Sequence, residues 1–384
     1  MKSPINLYFN KENTENLKIL EKCPTLYRKP KVDAINSKSN DNNTTASSDE
    51  PSVVNDATFE TSLLLANTHF HSYYASYHRN PLNLPTRREV LIAEDGGTVS
   101  LDWFTFDNDK NFNEETPTIL MLHGLTGGSH EVYVQYCAKD AYTKKGFRTV
   151  VFNYRGCAEN IVTADQTYSA AFTGDLKMVV KHLVKTLPKA KLFAIGFSLG
   201  SAILAKYLSQ VGTDTPFIAN CSASNPMDMN KSSINLKSTY INNKFYNEML
   251  ANNLKNLFTK WGDRLEQFAK REDVLKAMTI KEIDELITSK VFGYASAEDY
   301  YKDGSACNHL EKIEKPILFL TSTDDPIAPT CGIPFDKFKA NPNTILATTS
   351  YGGHLGFLYD LTSNQSWLDN VVVEYFSIVA DFIF

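Results

Sequence analysis

The 384-residue chain lacks any dense run of lysine and arginine, and its 39 basic and 44 acidic side chains leave a formal net charge of only −5. That excludes the basic footprint of a nucleic-acid binder. No stretch approaches the roughly eighteen apolar residues of a membrane span, and Met1 to Asn10 contains no apolar region of secretory length. The expectation is a chain made in the cytosol that stays soluble or attaches peripherally. The cysteines, Cys23, Cys137, Cys157, Cys221, Cys307 and Cys331, form no Cys-x-x-Cys pair and have no accompanying histidine cluster. Neither a structural zinc nor a redox dithiol is expected from that pattern. A Gly-x-x-x-x-Gly-Lys-Ser/Thr loop is also missing, so nucleotide chemistry has no motif behind it. The sequence therefore implies no metal and no cofactor.

What is present is enough apolar surface for a large interior, 42% hydrophobic residues over a length suited to one core with an insertion. Residues 36–52, NSKSNDNNTTASSDEPS, are almost all small and polar and cannot offset the entropy of ordering. They predict a disordered N-terminal tail over 1–57, with the fold beginning near Thr58. Two β-prone runs, EVLIAE and TVSLDWF, then flank Asp95-Gly96-Gly97 and read as an antiparallel hairpin. From Pro117 the pattern changes to uninterrupted apolar runs, TILML, TVVFN, KLFAI, FIANC, ILFLT and TILAT, which belong to strands buried on both faces of a parallel sheet. Amphipathic stretches between them, Ala164 to Leu187 and Leu199 to Gln210, complete the alternation of a doubly wound α/β fold.

That alternation stops between Asn225 and Gly304. Phe245, Met249, Leu254, Leu257, Phe258, Trp261, Leu265 and Phe268 recur there at three- and four-residue steps, which predicts helices and not strands. The reading is a helical cap over 225–304 inserted into a core of 58–224 and 305–384. The apolar stripe either packs on that core or lines a pocket able to accept lipid.

Chemistry enters at Gly196-Phe197-Ser198-Leu199-Gly200, which follows the run KLFAI and precedes the helix-forming SAILAKYLSQ. A Gly-x-Ser-x-Gly between a buried strand and a helix is a nucleophile elbow: the turn is too tight for side chains at the flanking positions, and the serine is thrown outward. A serine is a weak nucleophile until a base takes its proton. Of eight histidines, His354 stands just after the last expected strand, whereas His69, His71 and His78 precede the core and His182 and His309 fall in expected helices. The base needs a carboxylate to fix its tautomer. Asp325, in Asp324-Asp325-Pro326, directly follows ILFLT; Asp324 is its near competitor and Asp228 a remote one. The backbone N–H groups of Leu125, in His123-Gly124-Leu125-Thr126-Gly127-Gly128, and of Leu199 are placed to receive negative charge on a substrate oxygen. His123 is read as a brace for its loop, and Arg155 as one half of an ion pair.

With these residues in view the sequence resembles the YheT-like α/β-hydrolases, the AB hydrolase-4 family. The resemblance rests on HGLTGGSHEVYV, NYRGCAEN, GFSLGSAILAKYL, SNPMDM, DDPIAP and SYGGHLGF, in order from about Thr61 to the C-terminus. It implies an α/β-hydrolase fold, a Ser198, Asp325, His354 triad, and fatty-acyl esters such as monoacylglycerols or medium-chain esters as substrates. It equally accommodates transfer of the acyl group to an alcohol from the same site. Contact with a membrane or lipid-droplet surface is compatible with it, and oligomeric state is left open. Animal relatives carry an N-terminal membrane anchor where this chain begins with a polar segment, and LANTHFHSYYASY is a degenerate form of a family motif.

Overall fold

The apolar runs become strands because each is short, β-branched or aromatic, and hemmed by turns. The computed structural model describes residues 1–30, 49–109 and 111–382. Its strands are β1 (Lys2–Pro4), β2 (Asn6–Phe9), β3 (Thr58–Glu60), β4 (Thr86–Ile92), β5 (Thr98–Phe104), β6 (Thr118–Leu122), β7 (Arg148–Asn153), β8 (Leu192–Phe197), β9 (Phe217–Ala223), β10 (Ile317–Ser322) and β11 (Thr344–Thr349). Nine of them make one sheet, in the order β2-β11-β10-β9-β8-β6-β7-β5-β4. Strands β6 to β11 run parallel, and β4, β5 and β2 are antiparallel additions at the two edges. This is the α/β hydrolase fold. The hairpin turns at Gly96, whose φ of +81° lies in the region where glycine is free of steric penalty.

Helices cover both faces. They include α1 (Thr14–Glu21), α2 (Thr68–Tyr77), α3 (Val132–Lys145), α4 (Gly174–Thr186) and α5 (Leu199–Val211). Every residue of α5 from Leu199 to Leu208 is buried, as expected of a helix that is apolar nearly all round. The expected crossover over Ala164 to Leu187 is helical only from Gly174. The segment before it stays irregular because its polar groups bond elsewhere: Ala170 N–H donates to Tyr300 Oη, and Phe172 N–H to Ser169 Oγ.

The expected N-terminal tail is corrected by the structure. Ile5, Leu7 and Phe9 alternate and are all buried, so β2 adds to the sheet beside β11, while β1 pairs with β3. Ile19 and Leu20 of α1, with Cys23 and Leu26, pack into the same core as the C-terminal helix Trp367–Phe382. Ordering is therefore offset by burial between residues 3 and 27 as well as in the core after residue 58. Of the polar run 36–52, residues 36–48 lie outside the described residues, and Ser52 is pinned by two hydrogen bonds to the backbone of Phe9.

Between β9 and β10 the chain contains no strand. It runs through α6 (Met229–Ser238), a π-helical stretch at Asn242–Asn247, α7 (Glu248–Phe258), a second π-helical stretch at Asp284–Thr288 and a helix at Ala297–Gly304. The apolar stripe of this region divides. Leu257, Trp261 and Leu265 are buried against the core, whereas Phe245, Met249, Leu254 and Phe258 face a cavity.

Candidate active site

The turn from β8 into α5 holds Ser198 at φ +50° and ψ −117°, a conformation that non-glycine residues rarely adopt. The neighbouring glycines permit it by close approach. A Cβ on Gly196 would strike the backbone of Gly200, and one on Gly200 the backbone of Leu122 and His123. The Ser198 hydroxyl points to His354, with Oγ and Nε2 2.8 Å apart. His354 Nδ1 lies 2.8 Å from Asp325 Oδ2. An ionised carboxylate only accepts, so Nδ1 carries the proton and Nε2 is the acceptor for the serine O–H. Asp325 Oδ1 accepts the N–H groups of Ile327 and Ala328 at 2.8 and 2.9 Å. The turn before Pro329 thereby fixes the carboxylate, whose side chain is wholly buried.

Asp324 goes elsewhere. Its Oδ1 accepts Gly353 N–H and its Oδ2 has no partner among the described residues; burial and the neighbouring Asp325 push its carboxyl above the usual range. Asp228 caps α6 by accepting Lys231 N–H. His182 pairs with Glu89 at the surface, and His309 sits between two 3₁₀ turns beside Lys206. His123 does brace its loop: Nδ1 bonds Gly124 O at 2.7 Å, Nε2 accepts Tyr154 N–H, and complete burial drives its ring down to about 3, hence neutral. Arg155 bridges Asp95 and Asp175 at 2.5 and 2.7 Å.

The two predicted backbone donors, at Leu125 and Leu199, both border the same cavity as Ser198 and His354. Leu199 opens α5, where an N–H has no helical partner. On either side of Leu125 the amides are occupied. Gly124 N–H donates to Tyr133 Oη at 2.9 Å and Thr126 N–H to Tyr168 Oη at 3.0 Å. The Leu125 amide has no protein partner among the described residues and can serve an oxyanion.

Several supports have no sequence signature. The helix α2, from the degenerate THFHSYYASY segment, carries Ser72, whose Oγ accepts His354 N–H at 3.0 Å. It also carries His71, buried and lowered to about 4, which bonds Leu65 O through Nδ1 and Leu358 N–H through Nε2, both at 2.8 Å. Ser224 Oγ accepts Leu355 N–H, and Ser322 Oγ donates to Gly353 O. Together they clamp the histidine loop from three sides. Tyr133 and Tyr168 were invisible for the same reason: a tyrosine that donates or accepts once looks like any packed aromatic in sequence.

The cavity has a volume of about 960 Å³. Its walls come from α2 and from the helical segment between β9 and β10, with Leu236, Met249, Leu254, Phe258 and Ile280 among the apolar lining. At its mouth Phe70, Tyr73, Tyr77, Ile241 and Phe245 remain exposed. No helix among the described residues is long and apolar enough to cross a membrane. A hydroxyl aligned with an imidazole, two free amides and an apolar chamber can accommodate acyl transfer from an ester carrying a long hydrocarbon chain.

Comparison with known proteins gives the family. Residues 117–361 match the family described as alpha/beta hydrolase fold. An abhydrolase domain-containing protein of Dictyostelium discoideum is 51% identical over 99% of this chain and 95% of its own length. The human phospholipase ABHD3 is 37% identical over 75% of this chain and 71% of its own length. A monoacylglycerol lipase of Saccharomyces cerevisiae is 34% identical over 73% and 63%. Among solved structures, the Pyrococcus furiosus esterase Pf2001 superposes with a TM-score of 0.50 at 18% identity, covering 77% of this chain and 92% of that one, a likeness of fold. The chain belongs to the α/β-hydrolase family, in the AB hydrolase-4 group, and is a hydrolase of the esterase and lipase type.

Proposed function

We propose that this enzyme hydrolyses fatty-acyl esters, such as monoacylglycerols or medium-chain esters, through an acyl-enzyme on Ser198. Ser198 Oγ attacks the ester carbonyl carbon while His354 Nε2 takes its proton. Negative charge on the carbonyl oxygen is received by the N–H groups of Leu125 and Leu199. As the intermediate collapses, His354 returns the proton to the leaving alcohol. Water then adds to the acyl carbon by the same route and frees the fatty acid. Asp325 keeps the imidazole in its Nδ1–H tautomer and offsets the positive charge that His354 gains. The observation that carries this reading is the Asp325, His354, Ser198 chain of two 2.8 Å contacts at the wall of an apolar cavity.

The helical segment 225–304 acts as a cap that sets the shape of the acyl pocket, and the exposed aromatics at the mouth meet the lipid surface from which substrate is drawn. The test is to offer p-nitrophenyl esters from acetyl to palmitoyl, with and without ethanol, and identify the products. Free acid under both conditions, with best turnover beyond acetyl, is expected. Ethyl ester as the sole product with ethanol present would replace hydrolysis by alcohol transfer.

A further inference from the structure

Buried aspartates have a counter-charge with one exception among the described residues. Among the described residues five aspartates are buried: Asp102, Asp175, Asp284, Asp325 and Asp369. Four have a cationic or protonatable partner, Arg88, Arg155, His354 and Arg79 respectively. Asp284 has none among the described residues. Its Oδ1 accepts Thr288 Oγ1–H at 2.6 Å and its Oδ2 accepts Tyr301 Oη–H at 2.7 Å. Each oxygen keeps lone-pair capacity for a further contact. Leaving an ionised carboxylate out of water without a counterion costs several kcal/mol. Burial duly pushes this carboxyl up to about 6, and a cation beside it would offset that cost.

Asp284 is also not sealed in the core. It lines the same cavity as Ser198, together with Thr288, Tyr300 and Tyr301. Asp284 is the first residue of the π-helical stretch Asp284–Thr288, a backbone irregularity that recurs at functional sites. Tyr300 and Tyr301, with ring centroids 5.3 Å apart, supply aromatic surface beside it, and such surface attracts a positive charge.

We propose that Asp284, with Tyr300 and Tyr301, forms a subsite in the cavity for a positively charged ammonium group of the substrate. This rests on the ester-hydrolase reading above, because the ammonium is taken to belong to the ester cleaved at Ser198. The substrate supplies the cation that the fold withholds, and a neutral isostere forfeits that contact while filling the same space. Asp284 thereby selects the substrate and has no part in the acyl transfer itself.

The test uses the full chain and matched butyrate esters of alcohols ending either in trimethylammonium or in tert-butyl, with linkers from two to eight carbons. The wild type is expected to favour the ammonium member by about tenfold or more in kcat/KM at the best linker length, the worth of one such contact. Asp284→Asn, which keeps the shape and can still accept one hydrogen bond, is expected to bring that ratio to about one. The ratio is the readout, since a purely structural aspartate would alter both rates together. A wild-type ratio of one or below at every linker overturns the inference without any variant, so a chain that fails to fold on substitution does not blunt the test. An undiminished preference in folded Asp284→Asn overturns it too. Equal hydrolysis of both members leaves the hydrolase reading standing, whereas hydrolysis of neither overturns both.

Discussion

The backbone N–H of His354 donates to the hydroxyl of Ser72 at 3.0 Å, a contact between residues 282 positions apart. It ties the loop that carries His354 to α2, a helix that lies outside the alternating β and α units of the core. Ser72→Ala leaves the His354 amide without its acceptor and lets the ring drift from Ser198. A fall in kcat of roughly tenfold, about 1.4 kcal/mol, with KM nearly unchanged, is expected. Steady-state kinetics on a soluble ester reads this, and an unchanged kcat would show that α2 does not position the base.

The adjacent aspartates separate by contact, Asp325 meeting His354 and Asp324 the Gly353 amide. Asp325→Asn keeps the shape but favours the wrong histidine tautomer, and by the precedent of serine proteases a loss in kcat of about ten-thousand-fold is expected. Asp324→Asn retains an acceptor for Gly353 N–H and removes a carboxylate that burial disfavours, so activity within about threefold of wild type and unchanged or higher stability are expected. Equal losses in the two variants would contradict the assignment of Asp325.

His71 makes stability depend on acid. Burial lowers its ring from 6.5 to about 4 in the folded protein, so below pH 6.5 the unfolded chain takes up a proton that the folded one refuses. The stability held by neutral His71 is therefore complete above about pH 6.5 and is lost as pH falls toward 4. In His71→Gln this titration is gone. The gap in unfolding free energy between wild type and variant should narrow as pH drops from 6.5 to 4, measured by urea denaturation, and a gap independent of pH would refute the assignment.

The exposed mouth gives a prediction about lipid surfaces. Phe70, Tyr73 and Phe245 each remain more than a third exposed beside the cavity. Replacing all three by Ser should reduce turnover of an ester embedded in phospholipid vesicles by about tenfold while leaving a monomeric short-chain ester within about twofold. Parallel losses on both substrates would mean that these rings serve the pocket and not the surface.

Much of this arrangement was legible in the sequence, for reasons visible in the structure. The six parallel strands announce themselves because each is buried on both faces and so is apolar without a break. Ser198, Asp325 and His354 sit at strand ends where a tight turn demands glycine or proline, and their order along the chain is that of the fold. The strand β2 escaped because it is four residues long and pairs with a strand more than three hundred residues away, a partnership no local pattern encodes. The contribution of α2 escaped because hydrogen bonds from Ser72 and His71 leave no periodicity. The apolar stripe of residues 245–268 was seen, but whether each side chain met the core or the cavity depended on how the segment folds back.

The central claim is that Ser198 carries the acyl group, and the most direct measurement is covalent labelling by a fluorophosphonate probe in wild type and Ser198→Ala, with hydrolysis of a medium-chain p-nitrophenyl ester followed in parallel. Stoichiometric labelling of wild type at Ser198, absent from the variant, with turnover reduced by about a million-fold, is the predicted result. Labelling at another residue, or a variant that hydrolyses the ester as fast as wild type, would contradict it.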